Sequence, residues 1–133
     1  MGLEIRPEFQ REGVGLFEAE GKGLADQIRR IHSFAKKVGI RPLTDFLDNR
    51  DVEEMEDEEE WKAARSDWYE ASEGVKAVKE LVEAIRADPK AGKKWNKEDP
   101  DGLETLLDDL EALAKCLEAA AKREVKFRLE LRE

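Results

Sequence analysis

Between Leu117 and Val125 the spacing of apolar residues changes from three-and-four to two, and that switch constrains the fold more than any other feature of the chain. Upstream, Leu103, Leu106, Leu107, Leu110, Leu113, Ala114 and Leu117 fall on one face of a helix. Downstream, Val125, Phe127, Leu129 and Leu131 alternate with Lys126, Arg128, Glu130 and Arg132, the pattern of a strand with one buried and one wet face. A lone strand leaves its backbone amides and carbonyls without partners, so it must pair with a distant segment. The remaining strand-like stretches are Leu3 to Phe9 and Val14 to Phe17, both near the N-terminus. Pro7 lacks an amide proton and places the first of these at a sheet edge. The expected fold is therefore mainly α (α+β): several amphipathic helices packed together with a small antiparallel sheet formed from the chain termini.

The other helices follow from the same reading. Leu24, Ile28, Ile31, Ala35 and Val38 share a face, Gly39 stops that helix, and Arg29, Arg30, Lys36 and Lys37 are left on the wet side. Leu43 to Leu47 is long enough for one helical turn, and Asp48-Asn49-Arg50 reads as a loop. Asp51 and Glu54 have the spacing of a capping box near Val52, but like-charge pairs at four-residue spacing weaken that start, so a firm helix is expected from Glu59 to Tyr69. Trp61, Ala64 and Trp68 share a face of it. Val75, Val78, Leu81, Val82 and Ile85 mark another helix, closed by Asp88-Pro89. Lys90 to Asp99 is polar apart from Trp95 and reads as a loop pinned by one aromatic. Asp101 with Glu104 predicts a capping box for the Leu-rich helix.

At 133 residues the chain suits a single domain spanning 1–133, and no internal repeat or interdomain linker interrupts it. Leu, Ile, Val and Phe supply 31 residues, enough to hold a core in a chain that is 43% charged. No apolar run reaches a membrane span and the first ten residues lack the pattern of a signal peptide. With a single cysteine, Cys116, no internal disulfide forms, and a cytoplasmic location is expected.

The formal charge of −9 is concentrated. From Asp45 to Glu60 there are ten acids against Arg50, and the rest of the chain sums to zero. That distribution offers no basic stripe along the sequence and argues against nucleic acid as a partner. Glu53, Glu54, Glu56, Asp57, Glu58, Glu59 and Glu60 are the candidate partner-binding residues, set against the commoner role of such runs as a solvated face.

Motifs for chemistry are sparse. Gly13, Gly15, Gly21 and Gly23 lack phosphate-loop spacing and read as turn residues. His32 and Cys116 come without the companion ligands of a zinc site, and a nucleophilic pair between them would depend on folding alone. Lys97 to Asp108 approximates a calcium loop but has Lys97 in its first place and Asp108 in its last, so a turn leading into a helix cap explains the same residues. Trp61 and Trp68 fit a core better than a ligand cage, whereas Trp95, alone in a polar stretch, is the tryptophan least readily assigned to the core.

The order Trp68-Tyr69-Glu70, Glu73-Gly74 opening a helix, a Leu-rich helix from Leu103 and a closing Val125-x-Phe127-x-Leu129 strand resembles small bacterial proteins of uncharacterised function. With Val38-Gly39-Ile40-Arg41-Pro42-Leu43 the resemblance covers Leu24 to Leu131, and it implies the fold but no activity, cofactor or catalytic residue. The leading functional expectation is a non-enzymatic cytoplasmic protein-interaction domain with a localised acidic surface, needing no cofactor or metal. The alternatives are an immunity-type or inhibitor protein for a basic partner, and an enzyme using scattered carboxylates.

Overall fold

A computed structural model describes residues 4–11, 13, 17, 21–47, 68–97 and 100–132, with the backbone alone at 131 and 132. Strand β1 (Glu4–Phe9) is followed by helices α1 (Lys22–Asp26) and α2 (Ile28–Val38), a 3-10 turn (Leu43–Phe46), strand β2 (Tyr69–Glu70), helices α3 (Ala71–Ala87), α4 (Ala91–Trp95) and α5 (Gly102–Lys122), and strand β3 (Lys126–Arg132). The sheet is antiparallel in the order β1-β3-β2, so the C-terminal strand is central and the N-terminal strand lies at one edge. The chain ends do meet in a small sheet, as the change of period requires.

Pro7 occupies a place where its missing donor costs nothing. It pairs with Leu129, and it shares parity with Ile5, whose amide turns away from β3 and bonds the Gly21 carbonyl at 3.0 Å. On the other side of β3, Tyr69 pairs with Phe127, and a parallel bridge joins Leu47 to Leu129. Val125, Phe127 and Leu129 are all buried. Phe127 packs 5.2 Å from the Phe46 ring, and Phe46 meets Tyr69 edge-on at 5.1 Å. Gly74 makes room for this cluster, because a Cβ there would lie 2.9 Å from Leu117 Cδ1 and closer still to the Phe127 ring.

Helices α3 and α5 run antiparallel, as their cross-pairs show: Lys79 bonds Glu118 at 2.8 Å and Arg86 bonds Glu111. Their facing residues Val78, Leu81, Ile85, Leu106, Leu110, Leu113 and Leu117 are fully buried. Burying a Leu, Ile or Val side chain is worth about 1.5–3 kcal/mol, so this seam is a large part of the apolar driving force.

Five local expectations are corrected. The helix predicted through Leu24 to Val38 is broken at Gln27, which ends α1 and begins α2. Tyr69 is strand rather than helix, because β3 offers it a partner. Lys90 to Asp99 is not all loop: α4 lies within it, and Trp95 is completely buried. The Asp101 side chain makes no cap bond to α5; the Asn96 side chain instead accepts the Leu103 amide at 2.7 Å. Arg128, expected on the wet face, is 7% exposed, because Glu8 receives its Nε at 2.9 Å and Trp68 lies under its guanidinium at 4.1 Å. The expected stop at Gly39 holds, since α2 ends there and its φ of 79° is the left-handed conformation of a helix C-cap.

The loop Asp48-Asn49-Arg50, the cap near Val52 and the expected helix up to residue 67, with Trp61 and Ala64, lie outside the described residues. Among the described residues no helix is long and apolar enough to cross a membrane.

Candidate functional site

The site expected from sequence, Glu53, Glu54, Glu56, Asp57, Glu58, Glu59 and Glu60, lies outside the described residues. The described residues place a feature of opposite sign elsewhere. Helix α2 buries Ile31, Phe34 and Ala35, which turns Arg29, Arg30, Ser33 and Lys37 toward the other side. Helix α4 buries Ala91 and Trp95, and around it Lys90, Lys93, Lys94 and Lys97 recur at three- and one-residue steps. The two sets meet across a cleft of about 630 Å³ lined by Arg29, Arg30, Ser33, Phe34, Lys37, Lys90, Lys93, Lys94 and Lys97. Seven of these nine residues are cationic and none is acidic. The absence of a basic stripe in the sequence therefore does not carry over to the fold, which assembles one from two segments.

A buried network holds the two sides together. Phe34 and Trp95 meet edge-on with ring centres 5.6 Å apart and planes at 81°. Gln27, 6% exposed, donates to the Trp95 carbonyl at 2.8 Å and accepts Arg30 Nη1 at 3.0 Å. Lys94 Nζ stands 4.7 Å above the Phe34 ring and 3.6 Å from Asp88 Oδ2. Arg30 and Lys94 are thus fixed in place. Among the described residues, Arg29, Lys37, Lys90, Lys93 and Lys97 have no ion-pair partner. Asp88 at the rim registers the local field: the Lys90 amide holds its carboxyl below the ordinary aspartate value, and the charges of Lys94 and Lys37 add to that.

A second groove, between α3 and α5, is lined by Val78, Val82 and Ala114 together with Lys79, Arg86, Lys115, Glu83 and Glu111. Its charges are of both signs, and Arg86 is paired with Glu111, so it has no comparable demand for a counter-ion.

The remaining chemical residues have structural partners. His32 Nδ1 lies 2.7 Å from Thr44 Oγ1, tying α2 to the 3-10 turn. Cys116 is 2% exposed, and burial pushes its thiol up to about 11, far from the thiolate a nucleophile requires. Lys97 to Asp108 does not form a calcium loop, because α5 begins at Gly102 and takes its second half. Asp109, 4% exposed, accepts the Leu24 amide at 3.2 Å, and the Gly21 and Gly23 amides also favour its anion; burial nevertheless raises its carboxyl above the ordinary value. It caps α1 from a residue 85 positions away. Among the described residues no group of three or more His, Cys, Asp or Glu side chains is placed to hold a metal ion.

Comparison with protein-family models, with curated proteins and with solved structures finds no match to this chain.

The cleft could have been sought in the sequence by applying helical spacing to charge. Arg29, Ser33 and Lys37 stand at i, i+4 and i+8, and Lys90, Lys93, Lys94 and Lys97 at i, i+3, i+4 and i+7. Each set lies on one helical face, and neither shows in a tally of charge by segment.

Proposed function

We propose that the chain is a non-enzymatic binding domain whose working surface is the cationic cleft between α2 and α4, and that its ligand is an anion. The observation that carries this reading is the gathering of seven cations along one concavity, five of them without an ion-pair partner among the described residues, in a chain whose net charge is −9. Like charges held this close repel one another, a cost to stability that a counter-charged ligand relieves. The lining supports binding rather than catalysis: it contains cations, one hydroxyl and one ring, with no carboxylate or imidazole to take a proton.

The test is to map amide chemical shifts of the ¹⁵N-labelled protein while titrating pyrophosphate and, separately, a glutamate decamer. Shifts concentrated in residues 29–37 and 90–97 with either anion are expected. Shifts absent with both anions, or centred on the α3–α5 groove, would refute the proposal.

A further inference from the structure

We infer that the anion is a compact, phosphate-dense small molecule carrying three or more phosphoryl groups, and not an acidic peptide, a nucleic acid or a membrane surface. This inference rests on the anion-binding reading of the cleft and narrows it by size, charge density and shape.

Size comes first. A volume of about 630 Å³ is that of a small-molecule pocket. Matching the five cations without an ion-pair partner by glutamate side chains takes five residues, and five extended residues span roughly 17 Å, far beyond such a cleft. A phosphate monoester brings about −1.5 to −2 charges in one tetrahedral group, so three or four phosphoryl groups match the same cations within the cleft.

The reach of the cleft's cations points the same way. Screening acts over about 8 Å at physiological ionic strength, so charge held beyond the mouth of the cleft gains little from the cations that line it. A duplex with one charge per ~1.7 Å of axis, or an anionic bilayer, spreads its charge over a length or area far beyond the cleft and brings only a few charges within reach of the cations.

The side chains exclude a base-reading site. Phe34 is only 5% exposed, and Lys94 stands over its ring, so the lining presents no open aromatic face on which a nucleobase could stack. Recognition therefore falls on the phosphoryl oxygens. Five lysines act as point-charge donors, and Arg29 and Arg30 add planar forks that suit paired oxygens.

The experiment is calorimetric titration of the full chain with tripolyphosphate, inositol hexakisphosphate, the glutamate decamer and a 20-mer oligothymidylate, alongside co-sedimentation with phosphatidylcholine vesicles containing phosphatidylinositol bisphosphate. Expected are one-to-one binding of both free polyphosphates, tighter for the hexakisphosphate, and affinity that falls as salt is raised. Reversing two exposed cations of the cleft, Lys93→Glu with Lys97→Glu, should weaken that binding by about tenfold or more. Reversing Lys76 and Lys115, exposed lysines outside the cleft, makes the same change in net charge and should leave affinity within about twofold. Circular dichroism melting checks that each variant is folded. If the decamer, the oligonucleotide or the vesicles bind through the cleft while the free polyphosphates do not, the polyphosphate inference is overturned and the anion-binding reading stands. Equal weakening by both charge reversals would overturn the inference too, by showing that net charge and not the cleft is sensed. If none of the probes binds, both readings fall.

Discussion

Replacing Asp109 separates two opposed effects that the fold brings to one carboxylate. Burial disfavours the anion, while the Leu24 amide at 3.2 Å and the amides of Gly21 and Gly23 favour it, and burial is the larger. Asp109→Ala removes the acceptor and leaves at least the Leu24 amide without its partner where α1 packs on α5. A buried donor left unmade costs about 1–3 kcal/mol, and relief of the desolvated charge offsets part of it, so a net loss of about 2 kcal/mol is expected. Asp109→Asn keeps a carbonyl oxygen for the amide in nearly the same volume and should cost about 1 kcal/mol or less at pH 7. Urea titration followed by tryptophan fluorescence reads both. The pH dependence gives the sign. A folded-state carboxyl raised above its unfolded value binds more protons folded than unfolded, so Asp109 removes stability as pH rises from about 4 through its raised value. The stability difference between wild type and Asp109→Asn should therefore move in favour of wild type as pH falls from 7 toward 4. Movement in the opposite direction would mean that the amides outweigh burial, and an Asp109→Ala variant as stable as wild type would refute the capping role itself.

Two glycine comparisons test the packing on the same assay. Gly74→Ala gains about 1 kcal/mol of helix propensity but drives a methyl into the Phe127 ring and Leu117, and because overpacking costs about 1–3 kcal/mol the variant should be less stable than wild type; a more stable variant would show that Phe127 moves aside freely. Gly39 and Gly21 share a φ of 79°, yet a Cβ at Gly39 meets nothing while one at Gly21 collides with the Ile5 carbonyl. Gly39→Ala should therefore cost about 1–2 kcal/mol from backbone strain alone, and Gly21→Ala clearly more, with equal losses counting against the β1–Gly21 contact.

The parts of this fold that can be read from the sequence are those in which one segment carries its own pattern. The period change after Leu117 announces both the long helix and the strand, and Gly39 announces a helix end, because each signal lies within a few residues of what it specifies. Trp95 and Arg128 escape the local pattern for the converse reason. A tryptophan flanked by lysines looks exposed until Phe34 and Gln27 come to meet it from α2, and an arginine in the polar phase of a strand looks wet until Glu8 and Trp68 enclose it. Asp109 was one acid among 33 until the turn at Gly21 to Leu24 packed against it.

The cleft is the extreme case of this non-locality, since its two cationic sets are separated by more than fifty residues and neither is unusual alone. A basic face on a helix is ordinarily solvated, and α2 by itself would be one. What converts two such faces into a site is that, with Asp88 at the rim pairing Lys94, five of the seven cations keep no ion-pair partner among the described residues. The interlocking residues are a glutamine, a phenylalanine and a tryptophan, all uncharged. A carboxylate in place of Gln27 would still accept Arg30 but could no longer donate to the Trp95 carbonyl, and it would lower the field of the cleft by a full charge. The neutral amide performs both bonds without adding a charge, so the packing that joins α2 to α4 leaves the demand for an anion in place.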